Sequence, residues 1–178
     1  MRAYYFDDLP GDQRLAHDFV PSRPVSKEVL DALNVKSWSL PADAYEAELD
    51  AIAKEQGYTN RDVMTVSKDA LGSAYDGKIK SMFDEHIHDE EEARFILSGS
   101  GFYDIRETSS DQWIRLAFGP GDLISLPIGS YHRFTPDEDN NIEALRLFRD
   151  EPKWNRFVRS KETDANPHRI AYLKGISA

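Results

Sequence analysis

The sequence predicts a mainly β fold, an antiparallel sandwich or barrel with a helical N-terminal section, and three observations carry that expectation. From about residue 77, short β-branched or aromatic runs alternate with turn signals at Ser98-Gly99-Ser100-Gly101, Gly119-Pro120-Gly121-Asp122, Pro127-Ile128-Gly129 and Pro136-Asp137. No crossover helix recurs between those runs, which favours antiparallel over parallel pairing. Before residue 77, apolar residues fall instead at helical spacing. At 178 residues the chain is expected to form one domain, with a helical section over 1–76, a β-barrel core over 77–155 and a C-terminal tail over 156–178.

Ser26 is a helix-capping residue ahead of a stripe of Val29, Leu30 and Leu33, with Asn34 near its end. From about Pro41 to Gln56, Tyr45, Leu49, Ile52 and Ala53 repeat at helical spacing, and Gly57 supplies a left-handed terminator. A third, short helix is expected within 59–71, against the β-branched Thr65 and Val66. Strands are expected at 78–83, 93–97, 102–106, 113–118, 122–126, 131–135 and 142–148. The helices then cover one outer side of the strands.

Composition narrows the function. There is no Cys, which excludes disulfides, thiolate metal sites and cysteine nucleophiles. Acidic residues outnumber basic ones 32 to 22, a formal charge of -10, which argues against nucleic acid and anionic membrane as partners. No apolar run approaches the roughly 18 residues of a membrane span. The N-terminus reaches Asp7 and Asp8 without a basic and then apolar leader, so a cytoplasmic location is expected, with the nucleus as a second compartment.

The richest segment is Glu85-His86-Ile87-His88-Asp89-Glu90-Glu91-Glu92-Ala93-Arg94. In an extended chain His86 and His88 share a face, about 6–7 Å apart, while Ile87 points away. A bend through Asp89–Glu91 returns Glu92 toward the histidines. Far along the chain, a turn at Pro127-Ile128-Gly129 feeds a strand in which His132 and Phe134 share a face, and a closed antiparallel fold can bring His132 opposite the first pair. Three imidazole nitrogens and one carboxylate oxygen leave two positions free on an octahedral ion, which implies substrate or water binding rather than a structural staple. His17 and His168 lack such a context and read as surface or packing residues.

Residues 86–99 resemble the first cupin motif, with His-x-His, three residues, Glu92, six more and Gly99; residues 121–132 resemble the second, from Gly121 through Pro127 and Gly129 to His132. Gly77 lies too far upstream for the usual glycine, and Pro136 stands where Asn is common. The stretches Glu85 to Arg106, Asp111-Gln112-Trp113-Ile114-Arg115, Gly121 to Phe134 and Leu145 to Trp154 resemble the acireductone dioxygenase family over nearly the whole chain. The expected fold is therefore a cupin-like double-stranded β-helix or jelly-roll barrel.

The resemblance implies one Fe(2+) or Ni(2+) per monomer, held by His86, His88, Glu92 and His132. It also implies a reaction of methionine salvage, with the acireductone 1,2-dihydroxy-3-keto-5-methylthiopentene and dioxygen as partners. The iron form is expected to give 4-methylthio-2-oxobutanoate and formate, and the nickel form 3-methylthiopropanoate, formate and carbon monoxide. Arg94 shares the parity of Glu92 on its strand, so it is expected to donate to substrate oxygen, with a salt bridge to the acidic run as the other reading. Glu85, beside the first ligand, is a catalytic candidate, and Arg146 is a charge in an apolar strand that could line the cavity. Phe134, Phe148 and Trp154 are candidates for the apolar side of the pocket. The same ligands would serve another cupin oxygenase with a different small substrate, or a cupin that binds ligand without turnover.

Overall fold

A six-stranded and a five-stranded sheet face each other in a computed structural model that describes residues 1–153 and 155–176. Strands are numbered in chain order. The first sheet runs β1 (Arg2–Tyr5), β7 (Trp113–Phe118), β6 (Gly101–Arg106), β9 (His132–Pro136), β4 (His86–Ile87) and β11 (Phe157–Val158). The second runs β2 (Lys36–Ser39), β8 (Asp122–Leu126), β5 (Glu92–Gly99), β10 (Asn141–Phe148) and β3 (Asn60–Ser67). Every pairing is antiparallel.

The core lies between the sheets. Tyr103, Ile105, Leu116 and Phe118 project from the first sheet against Ile96, Ile124, Ile142 and Ala144 of the second. Each buried Ile, Leu or Phe side chain there contributes about 1.5–3 kcal/mol by leaving water. A second cluster covers the outer face of the five-stranded sheet, where Leu49 of helix α2 (Glu46–Gln56) meets Phe95, Leu123 and Leu147. Strand β5 is therefore buried on both faces, which is why Ala93 to Ile96 contains no polar alternation apart from Arg94. Helix α2 ends at Gly57 in the left-handed region, as expected.

Two local expectations are reversed. Residues 60–67 form β3 rather than a helix, because Met64 and Val66 alternate with Val63 and Thr65 and the strand pairs along β10 from Asn60 to Ser67; only Lys68–Leu71 (α3) turns helical. Residues 78–83 form no strand: α4 spans Tyr75–Met82 and buries Tyr75 and Ile79, four residues apart on one face. The section over 1–76 is thus only partly helical, since α1 (Lys27–Ala32) and α2 are interleaved with β1, β2 and β3, three of the four sheet edges.

Residues 156–176 are built into the fold. Strand β11 pairs with β4, and two helices follow, α5 (Lys161–Asp164) and α6 (Pro167–Ile176), whose Tyr172 donates to the Leu33 carbonyl at 3.1 Å. Among the described residues, no helix is long and apolar enough to cross a membrane.

Candidate metal centre

Cross-strand pairing brings the histidines together. His86 on β4 stands directly opposite His132 on β9, and His88 follows as the chain leaves β4. One ligand-capable nitrogen from each of His86, His88 and His132 lies within 4.8 Å of the others. Glu92 enters at the first residue of β5 and places Oε2 at 3.1 Å from His88 Nε2 and 3.5 Å from His132 Nε2. The preceding residue fixes that entry: Glu91 turns to the opposite side, where Tyr58 Oη (2.7 Å), Ser125 and Arg149 Nη2 (2.7 Å) donate to it. Gly129 makes the other approach possible. It has φ +76°, and a Cβ there would stand 2.4 Å from the His168 carbonyl oxygen.

All three rings are aimed by the backbone. His86 Nδ1 pairs with the Asp84 carbonyl at 2.7 Å, His88 Nδ1 with that of Asn155 at 2.5 Å, and His132 Nδ1 with that of Ser130 at 2.9 Å. A carbonyl can only accept, so each Nδ1 carries a proton and each Nε2 is turned inward, which is how metal-binding imidazoles are commonly oriented. Burial, reinforced by His132, lowers His86 to about 2, so its ring is neutral. Burial lowers His88 too, but its bond to the Glu92 carboxylate outweighs that and the net shift is upward. For Glu92, burial alone would raise the carboxyl; Arg94, His132 and His88 overcome it and hold the group well below its usual range.

The residues fit a divalent ion. His132 Nε2 is fully buried and has no hydrogen-bond partner, an expense a purely structural histidine would avoid. Three imidazole nitrogens with one carboxylate form a borderline donor set suited to first-row divalent metals, and binding displaces any proton shared between His88 and Glu92.

A cavity of about 330 Å³ opens onto the cluster. Met64, Val66, Leu71, Met82 and Phe134 form its apolar wall, while Arg94, Arg146, Lys78 and Arg156 bring positive charge. A larger cleft, about 440 Å³ between α2 and β3, touches none of the ligands, and we assign no chemistry to it.

Other site candidates separate clearly. Arg94 points inward with Nη1 on the Ala93 carbonyl (2.9 Å), Nη2 at 3.7 Å from Glu92 Oε1, and a buried Nε without a partner. Arg146 lines the cavity but is held by Asp62 through two bonds of 2.6 Å. Phe148 faces a separate recess beside His88, Glu92 and Arg94, with the Arg94 guanidinium 6.0 Å above its ring. Glu85 is turned away: Arg106 Nε (2.9 Å) and Arg159 Nη1 (2.7 Å) hold it, and it does not line the cavity. Trp154 lies outside the described residues. His17 is a packing residue, paired with Asp7 at 2.8 Å and stacked on Phe6.

Sequence reasoning missed Tyr103, whose hydroxyl donates to Glu92 Oε1 at 2.6 Å. Burial and the Glu92 charge push its phenol well above the usual range, so it stays a donor.

Known proteins resemble this chain over nearly its whole length. The ARD/ARD' family pattern matches residues 2–156. Acireductone dioxygenase 1 of Coprinopsis cinerea is 55% identical over 176 residues, spanning 99% of this chain and 98% of that protein. Acireductone dioxygenase of Rattus norvegicus is 44% identical over 180 residues, spanning 99% of each. A solved structure, acireductone dioxygenase from Bacillus anthracis with cadmium ion in its active centre, superposes with a TM-score of 0.69 at 21% identity, covering 88% of this chain and 98% of the other, a likeness of fold.

Proposed function

The chain belongs to the ARD/ARD' family and is a metal-dependent acireductone dioxygenase, and we propose that it works through one Fe(2+) or Ni(2+) held by His86, His88, Glu92 and His132. The observation that carries the ligand set is the convergence of three backbone-aimed imidazoles on one carboxylate, with a buried nitrogen left without a partner in the protein.

When bound, a divalent ion supplies positive charge that orients and neutralises an enediolate. The protein's own groups do the rest. The unpartnered Nε and the Nη2 of Arg94 are placed to donate to a substrate oxygen, and Lys78 and Arg156 add cationic charge to a cavity whose one acid is a ligand. Met64, Val66, Leu71, Met82 and Phe134 offer an apolar wall to a methylthioalkyl tail and keep water from it. All four proposed ligands lie within one chain, and a monomer is carried over as part of the proposal. The cytoplasmic location, with the nucleus as a second compartment, is carried over as part of the proposal.

Metal identity then selects the products. Iron-loaded protein is expected to give 4-methylthio-2-oxobutanoate and formate, and nickel-loaded protein 3-methylthiopropanoate, formate and carbon monoxide. The test is oxygen-controlled turnover at matched metal occupancy, with both carbon fragments followed by isotope. Identical products from the two forms would remove metal-controlled selectivity, and no acceleration over an enzyme-free control would remove the proposed chemistry altogether.

A further inference from the structure

The two oxygens of Glu92 have different surroundings. Oε2 faces His88 Nε2 at 3.1 Å and His132 Nε2 at 3.5 Å. Oε1 accepts the Tyr103 hydroxyl at 2.6 Å and has Arg94 Nη2 at 3.7 Å. One oxygen is turned to the imidazoles and the other is anchored to the barrel wall.

We propose that Tyr103 is a positioning residue: its hydroxyl holds Glu92 Oε1 away from the imidazoles, so that the carboxylate serves the metal through Oε2 alone. The inference rests on the metal centre proposed above. A carboxylate has two donor oxygens, and using both would occupy a coordination position that substrate or dioxygen needs. A short bond from a neutral phenol to a carboxylate is among the stronger hydrogen bonds a protein makes, and it competes directly with that second contact.

The anchor is rigid. Tyr103 is 1% exposed, its ring lies 5.4 Å from that of Phe118 and 5.1 Å from that of Phe134, and it stands opposite Phe134 in the β6–β9 register. Close packing in this aromatic group holds the side chain in one rotamer, so the hydroxyl cannot follow Glu92 if the carboxylate swings. Arg94 alone is too far from Oε1 to replace the bond, at 3.7 Å.

The variant Tyr103→Phe keeps the ring and removes the hydroxyl. Nickel affinity measured by chelator competition is expected to weaken roughly 10- to 100-fold relative to wild type, the range seen when partners of metal ligands are lost. X-ray absorption at the nickel edge reads the second consequence, a gain of carboxylate oxygen coordination in the variant. Phe118→Leu is the control, since it disturbs the same aromatic group without touching Glu92; it should lower the melting temperature and leave nickel affinity as in wild type. If the phenylalanine variant folds poorly without metal, protein folded in nickel and then challenged with chelator gives the comparison as a release rate. Wild-type nickel binding with an unchanged affinity in Tyr103→Phe, or an equal loss in Phe118→Leu, would overturn the positioning role. Wild-type protein that takes up no nickel would instead overturn the centre itself.

Discussion

Strands β6 and β9 each carry buried or half-buried polar groups on both faces, and the two faces handle them differently. Tyr103 and His132 point into the barrel, and their chain neighbours Asp104 and Arg133 point out of it. On the outer face Asp104 receives Arg115 Nε and Nη2 at 2.7 and 2.9 Å and Arg133 Nε at 2.7 Å, while Arg115 Nη1 donates to the Gln13 and Leu15 carbonyls. Arg133 leaves Nη2 without a hydrogen bond but lays its guanidinium 4.0 Å over Phe83 and 4.2 Å over Trp113. That cluster is closed by the protein's own side chains and carbonyls. On the inner face, His132 Nε2 and Arg94 Nε are buried without a hydrogen bond, the first 3.5 Å from Glu92 Oε2 and the second on a side chain that lines the cavity. Burial and charge are shared by the two clusters; what marks the functional one is that its unsatisfied nitrogens stand among converging imidazoles and a carboxylate beside a cavity.

Breaking the closed cluster should have the largest effect and should fall on stability. Asp104→Ala leaves two arginines facing each other without their shared carboxylate and is expected to cost about 3–5 kcal/mol in denaturant unfolding, with metal content per folded molecule unchanged. A loss of metal content in the surviving folded fraction would show that the two faces are not independent. Breaking the open cluster should do the reverse. His88→Ala is expected to weaken metal retention by at least about 100-fold, beyond the loss expected for a mere partner of a ligand, while apo-protein unfolding hardly moves because His88 sits at the cavity edge. Elemental analysis of the two purified proteins reads it, and equal tight occupancy would remove His88 from the ligand set. The smallest and sharpest change is Arg94→Ala. Oxygen consumption at matched metal loading should fall roughly 10- to 100-fold as one charged donor to the substrate disappears. Unchanged kinetics would make Arg94 a partner of Glu92 and nothing more.

How much of this was legible in the sequence follows from how local each signal is. The parity of His86 with His88, and of His132 with Phe134, is readable because strand alternation is a two-residue property. Most barrel strands are bounded by Gly and Pro turns that can be seen directly. The reversed segments failed for opposite reasons. Residues 60–67 carry a β-branched signal in a stretch next to helical segments, and pairing with β10 decides the matter. Residues 78–83 contain Ile79 and Met82, whose helical spacing becomes visible only with Tyr75, which lies outside that stretch. Tyr103 was invisible for a different reason: an aromatic in an apolar strand reads as core, and only a carboxylate arriving from β5 gives its hydroxyl a purpose. Glu85 was the converse, a residue next to a ligand whose partner, Arg159, lies 74 positions away.

Strand β11 and the Asn155 carbonyl add a matter of timing. His88 is aimed by a backbone group 67 residues later in the chain, and the strand bearing His86 is flanked by Phe157 and Val158. A nascent chain therefore exposes its first three ligands long before it has made the pieces that hold two of them in place. The proposed centre is therefore complete only once the segment around residues 155–158 has docked against β4, which couples the aim of His86 and His88 to the folding of a part of the chain remote from them.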